Sequence, residues 1–291
     1  MGGAVDLHSH TTASDGTLAP RELVRLAARH GVRVLAVTDH DSTSGIAEAM
    51  DEARHLPPLE IVPGLEINCD VPGAEIHVLG YCLDWEAPWF QEFLGAQRQE
   101  RRQRIYRIAE RLAALGVPID PEAVFALVKE GSAGRPHVAQ AMVDRGYVKS
   151  VREAFDRYLS LNAPANVPRK RLTPAEAVRV IRRARGVPVL AHPGLAHRDE
   201  LIPELIAAGL LGLEAFYPEH SAGQITAYRE MCSRLGLIAT GGSDFHGPRV
   251  GGVRHPGTQP VPEGVWHELR DRLARLGEES PSAPPPGSTA R

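Results

Sequence analysis

The sequence has few cysteines, no long apolar run and little net charge, and each shortage excludes a class of protein. Its three cysteines, Cys69, Cys82 and Cys232, show no C-x-x-C spacing and predict no disulfide framework, as is typical of a reducing compartment. No run of roughly 18 apolar residues is present, so no membrane-spanning segment is predicted. The first residues do not resemble a secretory leader, and we expect a cytoplasmic protein.

The net charge at pH 7 is −3, which argues against a basic platform for a long nucleic acid. Basic residues do concentrate between Arg98 and Arg107, but they follow helical spacing with the acidic residues Glu100 and Glu110 interspersed. This pattern predicts a solvated helix face rather than a nucleic-acid track. Histidine, by contrast, is abundant at 13 residues, and the positions of these histidines indicate the chemistry.

Short apolar segments rich in branched residues alternate with longer helical patterns in both flanks of the chain. Strands are predicted at 4–7, 33–38, 59–65, 75–80, 188–191, 212–216 and 237–240. Repeated strand–helix units predict parallel strands with helical crossovers, and about seven of them favour a closed or distorted barrel. We expect this α/β barrel at 1–85 and 170–276, an inserted helical subdomain that caps the substrate at 86–169, and a disordered tail at 277–291.

Residue types that bind metals follow the predicted strands. The first strand leads into His8 and His10, whose alternate spacing directs both imidazoles to one side. Further candidates at strand ends are Asp39, His40, Glu66, His77, His192, Glu214, Asp244 and His246. The carboxyl ends of parallel barrel strands converge on one face, so these groups are expected to meet there. Burying so many ionisable groups together without a metal ion would be costly, and we therefore predict a metal cluster.

Six segments of the chain resemble the motifs of one known family, the PHP (polymerase and histidinol phosphatase) family. They are DLHSHTTASDGTLAPRELV, VLAVTDHDSTSG, VPGLEIN, HVLGY, AHPG and TGGSDFHG, and they occur in the family's order on both flanks. The resemblance implies a distorted (β/α)7 barrel, in agreement with the strand count. The segments GRPH and PRKRLTP further resemble those of small stand-alone phosphatases that act on nucleotides and nucleoside bisphosphates.

The resemblance also implies three divalent transition metal ions. It assigns His8, His10, Glu66 and Asp244 to a first ion, Glu66, His77 and His192 to a second, and Asp15, His40 and His246 to a third. Asp15 stands where some relatives carry histidine. Mixed nitrogen and oxygen ligands suit Mn²⁺, Fe²⁺ or Zn²⁺.

Other residues near these ligands have less specific predicted roles. Asp39 is interpreted as a catalytic-site residue that orients a ligand imidazole instead of binding metal itself. Glu214 and His220 are expected near the same face, where they either support the ligands, contact substrate or serve the fold alone.

The inserted segment supplies candidates for phosphate binding. Arg135 and His137 lie close together at a predicted helix start, where a guanidinium and the helix dipole both favour a phosphate. We expect them to position the phosphate and to stabilise charge that develops on it during the reaction. Lys170, within the basic triplet at 169–171, is a candidate for contact with a second phosphate.

The sequence therefore predicts a phosphatase in which a metal-activated hydroxide attacks a phosphate monoester. No G-x-S-x-G elbow or P-loop is present, and no covalent intermediate is predicted. We expect a small nucleotide as substrate, either a 3′,5′-nucleoside bisphosphate or a nucleoside 5′-monophosphate, and neither a membrane nor a long nucleic acid as partner. Alternatives are a histidinol-phosphate phosphatase, a 5′–3′ exonuclease on short RNA and a non-catalytic structural module that binds metal.

Overall fold

Seven strands form one curved sheet in which each strand neighbours the next along the chain. The computed structural model describes residues 3–56, 58–127, 133–167, 172–248 and 254–278. Its strands are Val5–Asp6 (β1), Val34–Val37 (β2), Glu60–Val71 (β3), Ala74–Tyr81 (β4), Val187–Leu190 (β5), Gly212–Phe216 (β6) and Ile238–Gly241 (β7). These segments match the seven strand positions expected from the apolar runs.

One strand runs against the others. β1 to β3 pair in parallel, as do β5 to β7, whereas β4 is antiparallel to both of its neighbours. The prediction of uniformly parallel strands is therefore wrong for β4. The cause is a tight turn in which Gly73 has a φ of +83°, so β3 continues to Val71 and folds back as a hairpin. Because of this reversal, the beginning of β4, with His77, lies at the same edge as the ends of the parallel strands.

The two ends of the sheet meet along a backbone seam between the residues after β1 and the residues after β7. The Leu7 amide donates to the Gly241 carbonyl over 3.1 Å, the His10 amide to Phe245 over 2.9 Å, and the Asp244 amide to His8 over 2.9 Å. Gly242 makes this approach possible, since a Cβ there would lie 2.3 Å from the His8 nitrogen. The seam nearly closes the sheet into a barrel.

Helices cover the outside of this barrel and form the region between β4 and β5. They are Pro20–Arg29 (α1), Ile46–Ala53 (α2), Pro88–Ala114 (α3), Pro121–Ala126 (α4), Arg135–Asp144 (α5), Val151–Ala154 (α6), Pro174–Arg183 (α7), Pro193–Ala196 (α8), Ile202–Ala208 (α9), Ala222–Leu235 (α10) and Gly264–Glu278 (α11). A π-helical turn at Phe155–Leu159 and a 3₁₀ turn at Asp199–Leu201 complete the helical elements of the described residues. None of these helices combines the length and apolar character needed to cross a membrane.

Helix α3 belongs to two apolar cores. Its first half buries Phe90 and Leu94 in the cluster that packs on the barrel strands. Its second half contributes Ile105, Ile108 and Leu112 to a separate cluster with α4, α5 and α6. On this ground we propose that the region predicted at 86–169 is a helical subdomain with a core of its own. The tail predicted from residue 277 lies, beyond residue 278, outside the described residues.

The basic run on α3 is only partly solvated. Arg104 is buried, and its guanidinium donates to the Val167 carbonyl and to Asn166 Oδ1 over 2.6 and 3.1 Å. Arg101 is also turned inward and pairs with Asp41 of the barrel. The prediction of a solvated face is therefore wrong for these two arginines. They lie where α3 runs between the barrel and the other inserted helices, so the helix has two covered sides.

Candidate metal centre

Four ligand atoms converge at the seam of the barrel. His8 and His10 follow β1, Glu66 lies in β3, and Asp244 follows β7. The two imidazole Nε2 atoms lie 3.1 Å apart, and each lies 3.2–3.3 Å from Glu66 Oε2 and Asp244 Oδ1. His8, His10 and Glu66 offer ligand atoms close enough to share one divalent transition metal ion, and Asp244 Oδ1 lies beside both imidazoles.

The second oxygen of Glu66 faces two more histidines. Its Oε1 lies 2.9 Å from His77 Nδ1 and 3.1 Å from His192 Nε2. His192 follows β5, and His77 comes from the reversed strand β4. Glu66 thus presents one oxygen to each of two neighbouring groups, which is the geometry of a carboxylate that bridges two ions.

A third group surrounds Asp15. Its carboxylate oxygens lie 3.4 Å from His246 Nε2 and 3.8 Å from both His40 Nε2 and His10 Nδ1. Asp15 Oδ1 is buried without a hydrogen-bond partner. Since a buried acceptor without a partner is costly, it is suited to a cation. The family resemblance did not assign His10 to this third group, but the structure places it there. The structure also places His40 Nδ1 3.0 Å from Glu66 Oε2.

The electrostatics of the cluster favour a cation. Burial raises the pKa of Glu66, but the surrounding imidazoles, led by His40 and His77, outweigh it and hold this pKa well below its ordinary range. Burial lowers the pKa of His10, but the hydrogen bonds and charges of Asp244 and Glu66 raise it to about 10. The carboxylates thus favour a proton on His10, which a bound metal ion would displace, whereas burial holds the pKa of His40 well below its ordinary value.

Two of the residues in the cluster have unusual backbone conformations. Asp244 has a φ of +49° and His192 a φ of +28°, a region that residues with a Cβ rarely adopt. Such strain is tolerated where the surrounding structure fixes it, and it concentrates at functional sites. At both positions it turns a side chain inward directly after a strand.

Glu214, in β6, contacts His8 and His192 on the side away from the other ligand atoms. Its Oε1 lies 2.8 Å from His8 Nδ1, and its Oε2 accepts the His192 backbone N–H over 2.8 Å. Because Nδ1 of His8 donates to the carboxylate, Nε2 is free to face the cluster. Both oxygens of this fully buried side chain are engaged within the protein. These hydrogen bonds favour a role in positioning ligands, and a substrate contact of Glu214 stays a prediction.

His220 also has protein partners on both ring nitrogens. Its Nε2 accepts the Gly194 N–H over 3.1 Å, and its Nδ1 lies 3.0 Å from the Ala215 carbonyl. Gly194 permits this contact, since a Cβ there would lie 2.7 Å from His220 Nε2. The ring joins the segment that follows His192 to β6, which favours a structural role, and a substrate contact of His220 stays a prediction.

Asp39 lies under the loop that leads to Asp15. Its carboxylate accepts the backbone and hydroxyl groups of Thr11 over 2.8 and 2.7 Å and the Ser14 hydroxyl over 2.6 Å. Ser14 Oγ lies 3.5 Å from His10 Nδ1, so Asp39 reaches this imidazole through Ser14. Burial raises the pKa of Asp39. A catalytic role for Asp39 stays a prediction.

The phosphate-binding candidates lie at the start of α5. Arg135 forms an ion pair with Glu75 and donates to the Leu159 carbonyl over 3.1 Å. Glu75 and His77 are two positions apart on β4 and so face the same side, which brings Arg135 beside the cluster. His137 Nδ1 accepts the Gly134 N–H over 3.1 Å. Lys170 lies outside the described residues.

Sequence reasoning missed two residues that support Asp244. The Tyr217 hydroxyl donates to Asp244 Oδ2 over 2.9 Å, which leaves Oδ1 to face the histidines. Asp6 accepts the N–H groups of Ser243 and Gly257 over 2.9 and 2.7 Å and so fixes the loop before Asp244. The signals were present: Tyr217 directly follows β6, and Asp6 is a carboxylate within a buried strand.

Replacing Tyr217 with phenylalanine should lower the affinity for the metal about tenfold, because Asp244 loses the hydrogen bond that orients its carboxylate. Competition with a chelator measures this affinity. Tyr228→Phe is the matched control, since it removes a hydroxyl that binds Asp199 Oδ1. If both variants hold metal as tightly as the wild type, Tyr217 has no part in the site.

Comparison with known proteins agrees with this geometry. The 5′-3′ exoribonuclease Rnm of Escherichia coli K12 is 37% identical over 256 residues, which cover 84% of this chain and 85% of that protein. The 3′,5′-nucleoside bisphosphate phosphatase of Chromobacterium violaceum is 32% identical over 291 residues, covering 93% and 98%. A solved structure from the same organism, named an amidohydrolase and holding sulfate but no metal, has a TM-score of 0.83 at 31% identity and covers 93% of this chain and 97% of that one.

The PHP domain family model matches residues 6–167, which are more than half of the chain. The chain belongs to the PHP domain family. The distorted seven-stranded barrel expected from the resemblance is thereby confirmed.

Proposed function

We propose that this protein is a phosphatase that hydrolyses a phosphate ester of a small nucleotide, with a 3′,5′-nucleoside bisphosphate as the preferred substrate. The observation that carries the proposal is the buried convergence of His8, His10 and Glu66, with Asp244 Oδ1 3.2–3.3 Å from both imidazoles and further groups of the same chemistry nearby. Such a cluster suits the hydrolysis of phosphate esters, whose transition states spread negative charge over oxygen.

The proposed site holds three divalent ions, Mn²⁺, Fe²⁺ or Zn²⁺. Their ligands are His8, His10, Glu66 and Asp244 for the first, Glu66, His77 and His192 for the second, and Asp15, His40 and His246, with His10 nearby, for the third. When bound, such ions supply Lewis acidity and neutralise the charge that develops on the phosphoryl oxygens.

The protein itself supplies orientation and recognition. Glu214 and Tyr217 fix the direction of the ligands through hydrogen bonds, so the cluster is organised before substrate arrives. Arg135 is held beside β4 by Glu75, and its guanidinium is suited to bind phosphate through charge-assisted hydrogen bonds. His137 lies on the first turn of the same helix, where it contributes to the same recognition.

The names of two relatives describe closely related chemistry. A 3′,5′-bisphosphate and a 5′-phosphorylated RNA both present a nucleoside with a 5′-phosphate and an ester at the 3′ oxygen. Hydrolysis to a nucleoside 5′-monophosphate breaks the bond between that oxygen and its phosphorus in both cases. The second candidate function is therefore a 5′–3′ exonuclease on short RNA, and the 37% identity to an exoribonuclease favours it.

A survey of substrates tests the proposal. Metal-loaded protein is assayed with 3′,5′-adenosine bisphosphate, AMP, histidinol phosphate and a short 5′-phosphorylated RNA, and chelated protein serves as the control. We expect the highest kcat/KM for the bisphosphate and no turnover after chelation. The highest kcat/KM for RNA would select the second candidate, and the highest for histidinol phosphate would reject both.

Arg135→Gln should raise the KM for the bisphosphate about tenfold or more, because a charge-assisted hydrogen bond to phosphate contributes roughly 1.5–3 kcal/mol. Steady-state kinetics measure the change. Arg157→Gln removes a half-exposed arginine of the same helical region, paired with Glu153, and should leave KM unchanged. Equal KM values for the wild type and Arg135→Gln would show that Arg135 does not bind phosphate.

A further inference from the structure

Arg101 lies on α3 at the point where the helix passes from the barrel core to the inserted core. Its side chain is 10% exposed, and that of Asp41 is 5% exposed. The guanidinium Nε donates to Asp41 Oδ2 over 2.7 Å, and the charged Nη2 lies 2.5 Å from the same oxygen. A buried pair of this kind fixes the position of the helix against the barrel far better than an exposed pair would.

The backbone of Asp41 is fixed next to the metal cluster. It directly follows His40, and its backbone N–H donates to the Glu66 carbonyl over 3.0 Å. Its φ of +47° places the side chain away from the preceding strand and toward α3. The partner of Arg101 is therefore connected through backbone to two residues of the cluster.

The opposite side of Arg101 faces the start of α5. A Cβ on Gly134 would lie 3.6 Å from Arg101 Nη1, so the guanidinium lies directly against this turn. His137 is near enough that Asp15 and Arg101 both act on it: burial lowers the pKa of His137, the charge of Asp15 raises it, and that of Arg101 lowers it. Arg101 thus stands between the cluster and the turn that carries the phosphate-binding candidates.

We infer that Arg101 is a positioning residue that, through its ion pair with Asp41, sets the turn at residues 134–137 at a fixed distance from the metal cluster. The inference rests on the proposed function, because it assigns the phosphate contacts to this turn. In this arrangement, α3 holds Arg135 and His137 at a fixed position relative to His40 and Glu66. Arg101 acts through its neighbours and does not react itself.

The test is a double-mutant cycle on Arg101 and Asp41. Arg101→Gln and Asp41→Asn each remove one charge, and asparagine tolerates the left-handed backbone at position 41. Each variant should raise the KM for 3′,5′-adenosine bisphosphate about tenfold, because a displaced binding group weakens recognition, while kcat changes much less. The double variant should be no worse than either single one. Arg101→Lys should recover part of the loss, since lysine keeps the charge but lacks the Nε–H donor of the guanidinium.

Arg107→Gln is the matched control, because Arg107 lies on the same helix in an exposed pair with Glu100. It should leave KM, bound metal and melting temperature unchanged. Arg101→Gln should lower the melting temperature, because it leaves the Asp41 carboxylate buried without its partner, but it should retain its metal, which separates positioning from loss of the cluster. Loss of metal with a fall in kcat, additive effects in the double variant, or a KM equal to that of the control would each overturn the inference.

Binding of inorganic phosphate to the metal-loaded protein separates this inference from the proposed function. If the wild type binds phosphate but hydrolyses none of the nucleotides, the proposed function fails. The inference then stands if Arg101→Gln weakens phosphate binding about tenfold, and it fails if binding is unchanged.

Discussion

Glu66→Gln should lower kcat/KM by about 10³-fold or more, equivalent to a loss of about 4 kcal/mol in transition-state stabilisation. The two oxygens of Glu66 face different groups of histidines, with Oε2 near His8 and His10 and Oε1 near His77. Glutamine keeps the size of the side chain but presents one N–H₂ group, which cannot bind a cation. Steady-state kinetics and analysis of bound metal measure the two consequences.

The matched control is Glu60→Gln on the same strand. Glu60 is exposed, and its Oε2 accepts the Trp266 indole N–H over 3.1 Å, a bond that the amide oxygen of glutamine can also accept. The control should keep full activity and metal content. A Glu66→Gln protein with unchanged metal content and kcat/KM would contradict the bridging role and, with it, the assignment of the cluster.

Glu214→Gln should weaken metal binding by about 10²-fold, although Glu214 lies behind the ligands. The carboxylate accepts two N–H groups, from His8 Nδ1 and from the backbone of His192. Glutamine offers one acceptor and one donor, so one of the two N–H groups must lose its partner. Alternatively, the His8 ring takes the tautomer whose Nε2 carries a proton, and that nitrogen then cannot bind metal. Chelator competition measures the affinity.

Glu219→Gln is the control for this change. Glu219 is 47% exposed and pairs with Arg254 over 2.9 Å, so its neutralisation should not alter metal affinity. Glu214→Asp adds a second comparison, because it keeps the charge but shortens the reach to His8 and should weaken binding as well. Wild-type metal affinity in Glu214→Gln would mean that His8 does not need this hydrogen bond.

The sequence allowed the strands and the candidate ligands to be predicted because both depend on short-range patterns. An apolar run followed by histidine or a carboxylate locates a strand and its polar end, as at His8 and Asp244. The direction of β4 could not be read in this way, since apolar spacing is the same in parallel and antiparallel strands. Only the turn containing Gly73 carried information on the reversal.

Residues whose roles depend on distant neighbours were harder to predict. Arg101 and Arg104 have the spacing of a solvated face, and nothing in that spacing indicates that a second core covers them. His220 was predicted near the site, and the structure shows that both its ring nitrogens contact backbone groups of other elements. Burial and hydrogen-bond partners of this kind follow from tertiary packing, which local sequence does not specify.

Because the metal cluster lies at the seam of the barrel, a bound ion would also help to hold the two ends of the sheet together. Hydrogen bonds along the seam join parts of the chain as far apart as the Asp6 carboxylate and the Ser243 backbone, which are 237 positions apart. Closing so long a loop has a high entropic cost, and strand β1 offers only two residues of ladder to offset it. An ion held by His8 and His10 after β1 and by Asp244 after β7 would cross-link the two ends of the sheet. Catalysis and the stability of the closed barrel would then depend on the same metal–ligand bonds.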